Sequence, residues 1–311
     1  MRGVYCDGSS IRLRRDLPVP APSSDEILVA VRTVGICDTD IQLAKGYMQF
    51  QGVLGHEFVG MTESGARVTA EINNACRHCE TCRAGNLGHC PNRSVLGIFR
   101  HDGAMADYVA VQSANLHEIP DAIDDDEAVF IEPLAAAFRI SEQLDLSSET
   151  KVAVLGDGKL GLLCTWILRE AGCKVTLIGK HQDKLALAGA GIDTKLIGNP
   201  AIEARTFDVV VDATGSPTGF PSALKLVRPC GTVVLKTTVA GDYTINLAEV
   251  VIDEIRVVGS RCGPFTKAIQ ALANRRVDVR PLIGAKYSLD QAEEAFQAAG
   301  SKGARKILIH A

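Results

Sequence analysis

From residue 141 onward the chain alternates short apolar runs with amphipathic stretches. KVAVLG (151–156), KVTLIG (174–179), TKLIG (194–198), FDVVVDAT (207–214) and GTVVLKTT (231–238) are too short for helices and mostly rich in β-branched residues, which predicts strands. Between the first two, LGLLCTWILREAG (160–172) places its apolar residues at helical spacing. Strands and helices alternating in this way predict right-handed βαβ units and a parallel sheet, which EIRVVGS (254–260) extends. The residues before about 130 read differently, with extended runs such as EILVAVRTVGI (26–36), many turn residues and little helical periodicity, so an irregular β-rich unit is expected. After Phe265 come a helical stretch, Pro281, a second helix around SLDQAEEAFQAAG and a closing strand, ARKILIH, expected to fold back on the first unit. Trp166, the only tryptophan, lies on the apolar side of the predicted 160–172 helix and is expected in the core.

At 311 residues the chain has room for about two domains, each with its own core. A net charge of −4 lacks the basic excess of a nucleic-acid binder, and no apolar run approaches the ~20 residues of a membrane span. Ten cysteines in a chain that opens at Met1 without an apolar signal segment point to a reducing compartment, the cytoplasm. Cys164, Cys173, Cys230 and Cys262 sit in apolar or strand-like runs and are expected as small buried hydrophobes, whereas Cys6 has no informative context.

The remaining cysteines are organised. Cys76, Cys79, Cys82 and Cys90 fall in CRHCETCRAGNLGHC, two C-x-x-C steps sharing a cysteine and a fourth thiol after seven residues. One loop of that spacing wraps four thiolates around a tetrahedral structural zinc, whereas thiols two residues apart form a disulfide only with strain. His78 and His89 lie in the same loop and are expected to face solvent, because four sulfurs already close the shell.

Gly156, Gly158 and Gly161, with Asp157, Lys159 and Leu160 between them, form G-x-G-x-x-G directly after a predicted strand and at the start of a predicted helix. There the first glycine makes the tight turn, the second admits a pyrophosphate and the third lets helix and strand pack closely. Thr214, at the end of the fourth predicted strand, is assigned to the same dinucleotide site. The carboxylate that binds the NAD ribose is expected about 20 residues after the motif, but the second strand ends in Gly179, followed by Lys180, His181 and, one turn on, Lys184. A missing carboxylate removes repulsion against a 2′-phosphate and Lys180 adds a charge-assisted contact, so NADP is the expected cofactor and NAD the alternative. On that reading Gly179→Asp reverses the preference, while the competing reading leaves Lys180 and Lys184 as solvated surface charges.

In the β-rich part, GICDTD sets Cys37 two residues before Thr39 and three before Asp40, and GHEFVG sets His56 and Glu57 between glycines. A thiolate, an imidazole and one or two carboxylates suit a catalytic zinc that keeps a position open for substrate. Taken singly, Cys37 and His56 also read as core residues.

Together, these motifs, the four-cysteine lobe, HDGAMADYV, Glu132 in EPLA and VLGDGKLG resemble the zinc-dependent medium-chain alcohol and polyol dehydrogenase family, in that family's order along nearly the whole chain. The resemblance implies an α/β fold: a GroES-like β-rich catalytic domain (1–137 and 266–311, zinc lobe 76–90) and a Rossmann doubly wound parallel sheet (138–265). It implies reversible oxidation of a secondary alcohol, polyol or sugar-like substrate, two zincs per chain, NADP or NAD, a small alcohol or carbonyl as partner, and a homo-oligomer, dimer or tetramer. Carried over by position, Cys37 and His56 are zinc ligands, Glu57 and Glu132 are candidates for the remaining places and exchange with each other, Thr39 contacts the substrate oxygen, and Asp40 orients the His56 ring. Two departures stand out. Gln42 occupies the place of a proton-relaying histidine, and MTESGARV is a trimmed version of longer hairpins, which predicts a more open pocket with Ile98 and Phe99 among its walls. Two other readings are a zinc-free quinone or enoyl reductase of the same superfamily and a non-catalytic NADP-binding or redox-sensing protein.

Overall fold

The computed structural model describes residues 1–238 and 244–311. The chain divides into two compact units, Met1–Glu132 with Phe265–Ala311, and Pro133–Pro264.

In the first unit the strand Glu26–Gly35 is the organising element. It pairs antiparallel with Glu57–Thr62, with Tyr108–Gln112 and with the closing strand Lys306–His310. The polar ends of that closing strand flank three buried apolar residues, Ile307, Leu308 and Ile309, so the tail is held by burial as well as by its ladder. Register then does chemical work: Gly35 lies opposite Glu57 on one side and Leu308 on the other, bringing two distant segments to one point. The MTESGARV segment is a short hairpin between Glu57–Thr62 and Arg67–Ala70, turned at Gly65 with φ +84°.

The second unit holds six parallel strands in the order Asp193–Leu196, Lys174–Gly179, Lys151–Leu155, Phe207–Asp212, Val227–Leu235 and Arg256–Gly259. Sequence order reverses at Lys151–Leu155, and in sheets of this kind ligands bind outside the carboxyl ends of the strands at that reversal. Val152, Ala153 and Val154 are fully buried, as expected of strands covered on both faces. The helix Lys159–Glu170 packs on the strands Lys151–Leu155 and Lys174–Gly179, burying Leu162, Leu163, Ile167 and Leu168.

Three expectations about single residues need correction. Trp166 is only half-buried, with its indole N–H donating to the Ala188 carbonyl at 3.0 Å, because an indole at the edge of a helix face needs an acceptor as well as apolar cover. Cys230 is exposed, with a left-handed φ of 60° inside the strand Val227–Leu235, and Cys262 is partly exposed. Cys164 and Cys173 are buried, and burial pushes the Cys164 thiol up to about 11. No helix among the described residues is long and apolar enough to cross a membrane.

Candidate active site, metal centres and cofactor turn

Cys37 caps the helix Asp38–Ala44, and the Asp40 carboxylate reaches back to accept the Cys37 backbone N–H at 2.8 Å. The thiol points at Thr39, 3.7 Å from its hydroxyl. His56 stands just before the strand Glu57–Thr62 and immediately after Gly55, whose φ of +100° is open to glycine and whose Cβ position is filled by Met105. His56 Nδ1 stands 3.4 Å from Asp40 Oδ1, both atoms are buried, and neither closes a well-formed hydrogen bond. With Nδ1 turned to Asp40, Nε2 is the nitrogen left for a metal. Burial alone would lower the His56 pKa, but the nearby Asp40 charge, helped by Cys37, holds it well above its ordinary value.

One ligand atom from each of Cys37, His56 and Glu57 lies within 4.8 Å of the others, a donor set of one sulfur, one nitrogen and one oxygen that fits a catalytic zinc. Glu132 lies in the first turn of the helix Ile131–Gln143 and is not part of that group. Gln42 is on the Asp38–Ala44 helix, half-buried.

The structure adds a residue that sequence reasoning missed. Lys306, 2% exposed, forms an ion pair through Nζ with Glu57 Oε2, itself 1% exposed. Lys306 Nζ also lies 5.7 Å from the centroid of the Phe130 ring. Burial works to lower the Lys306 pKa, yet the charges of Glu57 and Cys37 outweigh it and hold the ammonium above its usual range. Gly35 makes the room, since a Cβ there would stand 2.8 Å from Glu57 Oε2 and 3.1 Å from the Lys306 Cδ. The only local signal in the sequence is a lysine placed directly before the apolar run of the closing strand.

In the cysteine lobe the sulfurs of Cys76 and Cys90, and of Cys79 and Cys82, are 3.5 Å apart, with Cys79 to Cys90 at 3.8 Å and Cys76 to Cys82 at 4.0 Å. A tetrahedron with ~2.3 Å metal–sulfur bonds has edges of about 3.8 Å, so the four thiols fit a structural zinc and are far too separated for disulfides. His78 and His89 are exposed. Backbone N–H groups of His78 and Cys79 bring the Cys76 thiol down to about 5, whereas burial and neighbouring thiols push Cys82 up to about 12.

The glycine turn has the geometry its motif requires. Gly156 has φ +113°, and its Cβ position lies 2.5 Å from the Ala213 carbonyl oxygen; a Cβ on Gly161 would stand 1.9 Å from the Gly156 carbonyl oxygen. The Cβ position of Gly158 meets nothing within 4 Å, leaving that backbone open to approach. Lys159 and Leu160 begin the following helix. Thr214 donates from N–H and hydroxyl to Asp212 Oδ1, at 3.0 and 2.8 Å. Lys180 is exposed and Lys184 half-buried in the short helix Gln182–Leu185.

Gly179 differs from expectation. It is not an empty place awaiting a side chain, because a Cβ there would stand 2.4 Å from Asp157 Oδ2. Asp157, from the glycine turn, accepts the backbone N–H groups of Lys180 and His181 on Oδ2, both at 2.6 Å, and the His181 ring on Oδ1 at 3.1 Å. A carboxylate therefore does stand at the end of the second strand, supplied by a neighbouring segment. An aspartate at position 179 would overlap that carboxylate, so the empty strand end on which the Gly179→Asp expectation rests is not present.

Comparison with known proteins agrees with this architecture. Residues 23–121 match the alcohol dehydrogenase GroES-like domain and residues 160–275 match the zinc-binding dehydrogenase family. The D-arabitol-phosphate dehydrogenase of Enterococcus avium is 30% identical, across 94% of this chain and 92% of that protein. The L-threonine 3-dehydrogenase of Shewanella woodyi is 27% identical across 95% of each. Among solved structures, a zinc-binding dehydrogenase from Sinorhizobium meliloti bound to NADP superposes with a TM-score of 0.87 at 29% identity, covering 100% of this chain and 99% of that one. Galactitol-1-phosphate dehydrogenase from Escherichia coli shares the fold, with a TM-score of 0.90 at 22% identity and 100% coverage of both. On these matches and this geometry, the chain belongs to the zinc-dependent medium-chain alcohol and polyol dehydrogenase family.

Proposed function

We propose that the chain is a two-zinc, NADP-preferring dehydrogenase of a secondary alcohol, polyol or sugar-derived alcohol. The observation that carries this is the meeting of Cys37, His56 and Glu57 within 4.8 Å, beside an Asp40 poised to hold the imidazole. Cys37 and His56 would hold the catalytic zinc, with Glu57 and Glu132 the candidates for its remaining place. When bound there, zinc supplies Lewis acidity toward the substrate oxygen, and the nicotinamide accepts the hydride. Asp40 fixes the His56 ring, and the Thr39 hydroxyl, next to the Cys37 thiol, accepts a hydrogen bond from the substrate hydroxyl and releases its own proton as it takes that one. Gln42 cannot carry that proton onward near neutral pH, so it leaves by a route other than a side chain at this position. Lys306 balances the Glu57 charge and restrains the carboxylate. Cys76, Cys79, Cys82 and Cys90 hold the structural zinc.

The names of the relatives favour polyols and their phosphates, or a hydroxy amino acid, as substrates: D-arabitol phosphate, sorbitol and L-threonine. NADP is supported by Lys180 and Lys184, and by the NADP-bound relative at 29% identity. Ten free cysteines support a reducing compartment, the cytoplasm. A homo-oligomer is supported by the exposed Val251 and Ile252, next to the edge strand Arg256–Gly259. The test is turnover of secondary alcohols, polyols, polyol phosphates and L-threonine with each cofactor. Oxidation of at least one class with a higher kcat/KM for NADP is expected, and no turnover of any class by zinc-replete protein refutes the reading.

A further inference from the structure

We propose that Asp157 and His181 act as one recognition unit for the 2′-phosphate of NADP, the aspartate of the glycine turn holding an imidazole that faces the phosphate beside Lys180. This rests on the NADP reading above and deepens it.

The backbone N–H groups of Lys180 and His181 lie at the strand end where an adenosine ribose is bound, and loop amides of this kind commonly receive phosphates. Here both already donate to Asp157 Oδ2 at 2.6 Å. A 2′-phosphate must therefore be read by side chains. Lys180 is exposed, and the His181 side chain keeps 32% of its surface accessible while its Nδ1 is tied to Asp157. Because a carboxylate can only accept, Nδ1 carries a hydrogen and Nε2 is the nitrogen left for a ligand. With Asp157 accepting from Nδ1, an Nε2–H donated to the phosphate would complete a carboxylate–imidazole–phosphate chain in which each ring nitrogen faces an anion.

The Asp157 charge is itself contained. Burial works to raise its pKa, but the backbone N–H and ring of His181 and the N–H of Lys180 hold the carboxyl below its usual range. Three donors on a side chain 9% exposed leave little of that charge facing the ligand. Gly179 belongs to the same device, because any side chain there would displace Asp157.

Binding of 2′,5′-ADP and of 5′-AMP to the full-length protein, measured by calorimetry, tests this. The native protein should bind 2′,5′-ADP at least about tenfold more tightly than 5′-AMP. Asp157→Asn keeps the shape of the side chain, and His181→Gln keeps the backbone contacts. Each should weaken 2′,5′-ADP about tenfold while changing 5′-AMP by less than roughly twofold, and the double variant should be no weaker than the worse single variant. If Asp157→Asn leaves 2′,5′-ADP binding unchanged or tightens it, the carboxylate only repels and the inference is wrong. Additive losses in the double variant also overturn it, since the two residues would then act separately. Should Asp157→Asn fail to fold, an unchanged 2′,5′-ADP affinity in His181→Gln overturns the inference on its own. Equal affinities of the native protein for the two probes would defeat the NADP reading and this inference with it, whereas a native preference that survives both variants defeats this inference alone.

Discussion

Glu57 and Lys306, 249 residues apart in sequence, form a buried ion pair beside Cys37, in space that Gly35 leaves by having no side chain. Removing one partner of such a pair strands a charge in the interior, which is far more destabilising than the pair is stabilising.

Lys306→Met should therefore lower unfolding stability by about 3–5 kcal/mol, and Glu57→Gln in the same chain should restore much of it. The sign with pH follows from the Lys306 ammonium being held above its usual range by Glu57 and Cys37 against burial. Its contribution is complete below the ordinary lysine value of about 10.4 and is lost only as pH rises through the higher folded value. Denaturant unfolding of native and Lys306→Met protein should thus differ by a constant amount between about pH 6 and 9. A difference below about 1 kcal/mol would remove the pair from the account.

In the metal-stripped protein, thiol titration should distinguish the cysteines of the lobe. Cys76, brought down to about 5 by backbone N–H groups, is thiolate above that pH and should alkylate first, with a midpoint near it. Cys82, pushed up to about 12, should react last. Mass-spectrometric mapping of iodoacetamide adducts between pH 4 and 9 reads the order, and zinc should abolish the difference. Uniform modification of the four thiols would contradict the described hydrogen bonding.

Gly179→Asp should weaken both cofactors rather than exchange them. The new Cβ would stand 2.4 Å from Asp157 Oδ2, so the turn must open before either dinucleotide can seat. Comparing KM for NAD and NADP in this variant checks it: both should rise, with kcat falling less. A clean inversion of preference would show that the turn adapts and that Asp157 is not the controlling carboxylate.

What the sequence revealed follows from how far apart the cooperating residues are. All four lobe cysteines lie within fifteen residues and the glycine motif within six, so spacing alone carried their geometry. Cys37, Thr39 and Asp40 share a single helix start, and His56 and Glu57 are adjacent. The sheet of the second unit was legible because each strand is a short apolar run closed by a turn signal. Lys306 was not, since it reaches Glu57 only through the pairing of the closing strand with Glu26–Gly35. The role of Asp157 was hidden for the same reason: its partners are the backbone amides of another strand's end, and no residue type announces a backbone amide.

The most direct test of the account is the zinc content and turnover of His56→Ala, measured together on one preparation. The native protein should carry two zincs per chain. His56→Ala should retain one, lose nearly all oxidation of the best alcohol substrate and bind NADP with native affinity, because His56 lies in the unit Met1–Glu132 and the glycine turn in Pro133–Pro264. Two zincs and full turnover in the variant would contradict the assignment of Cys37, His56 and Glu57 as the catalytic metal site.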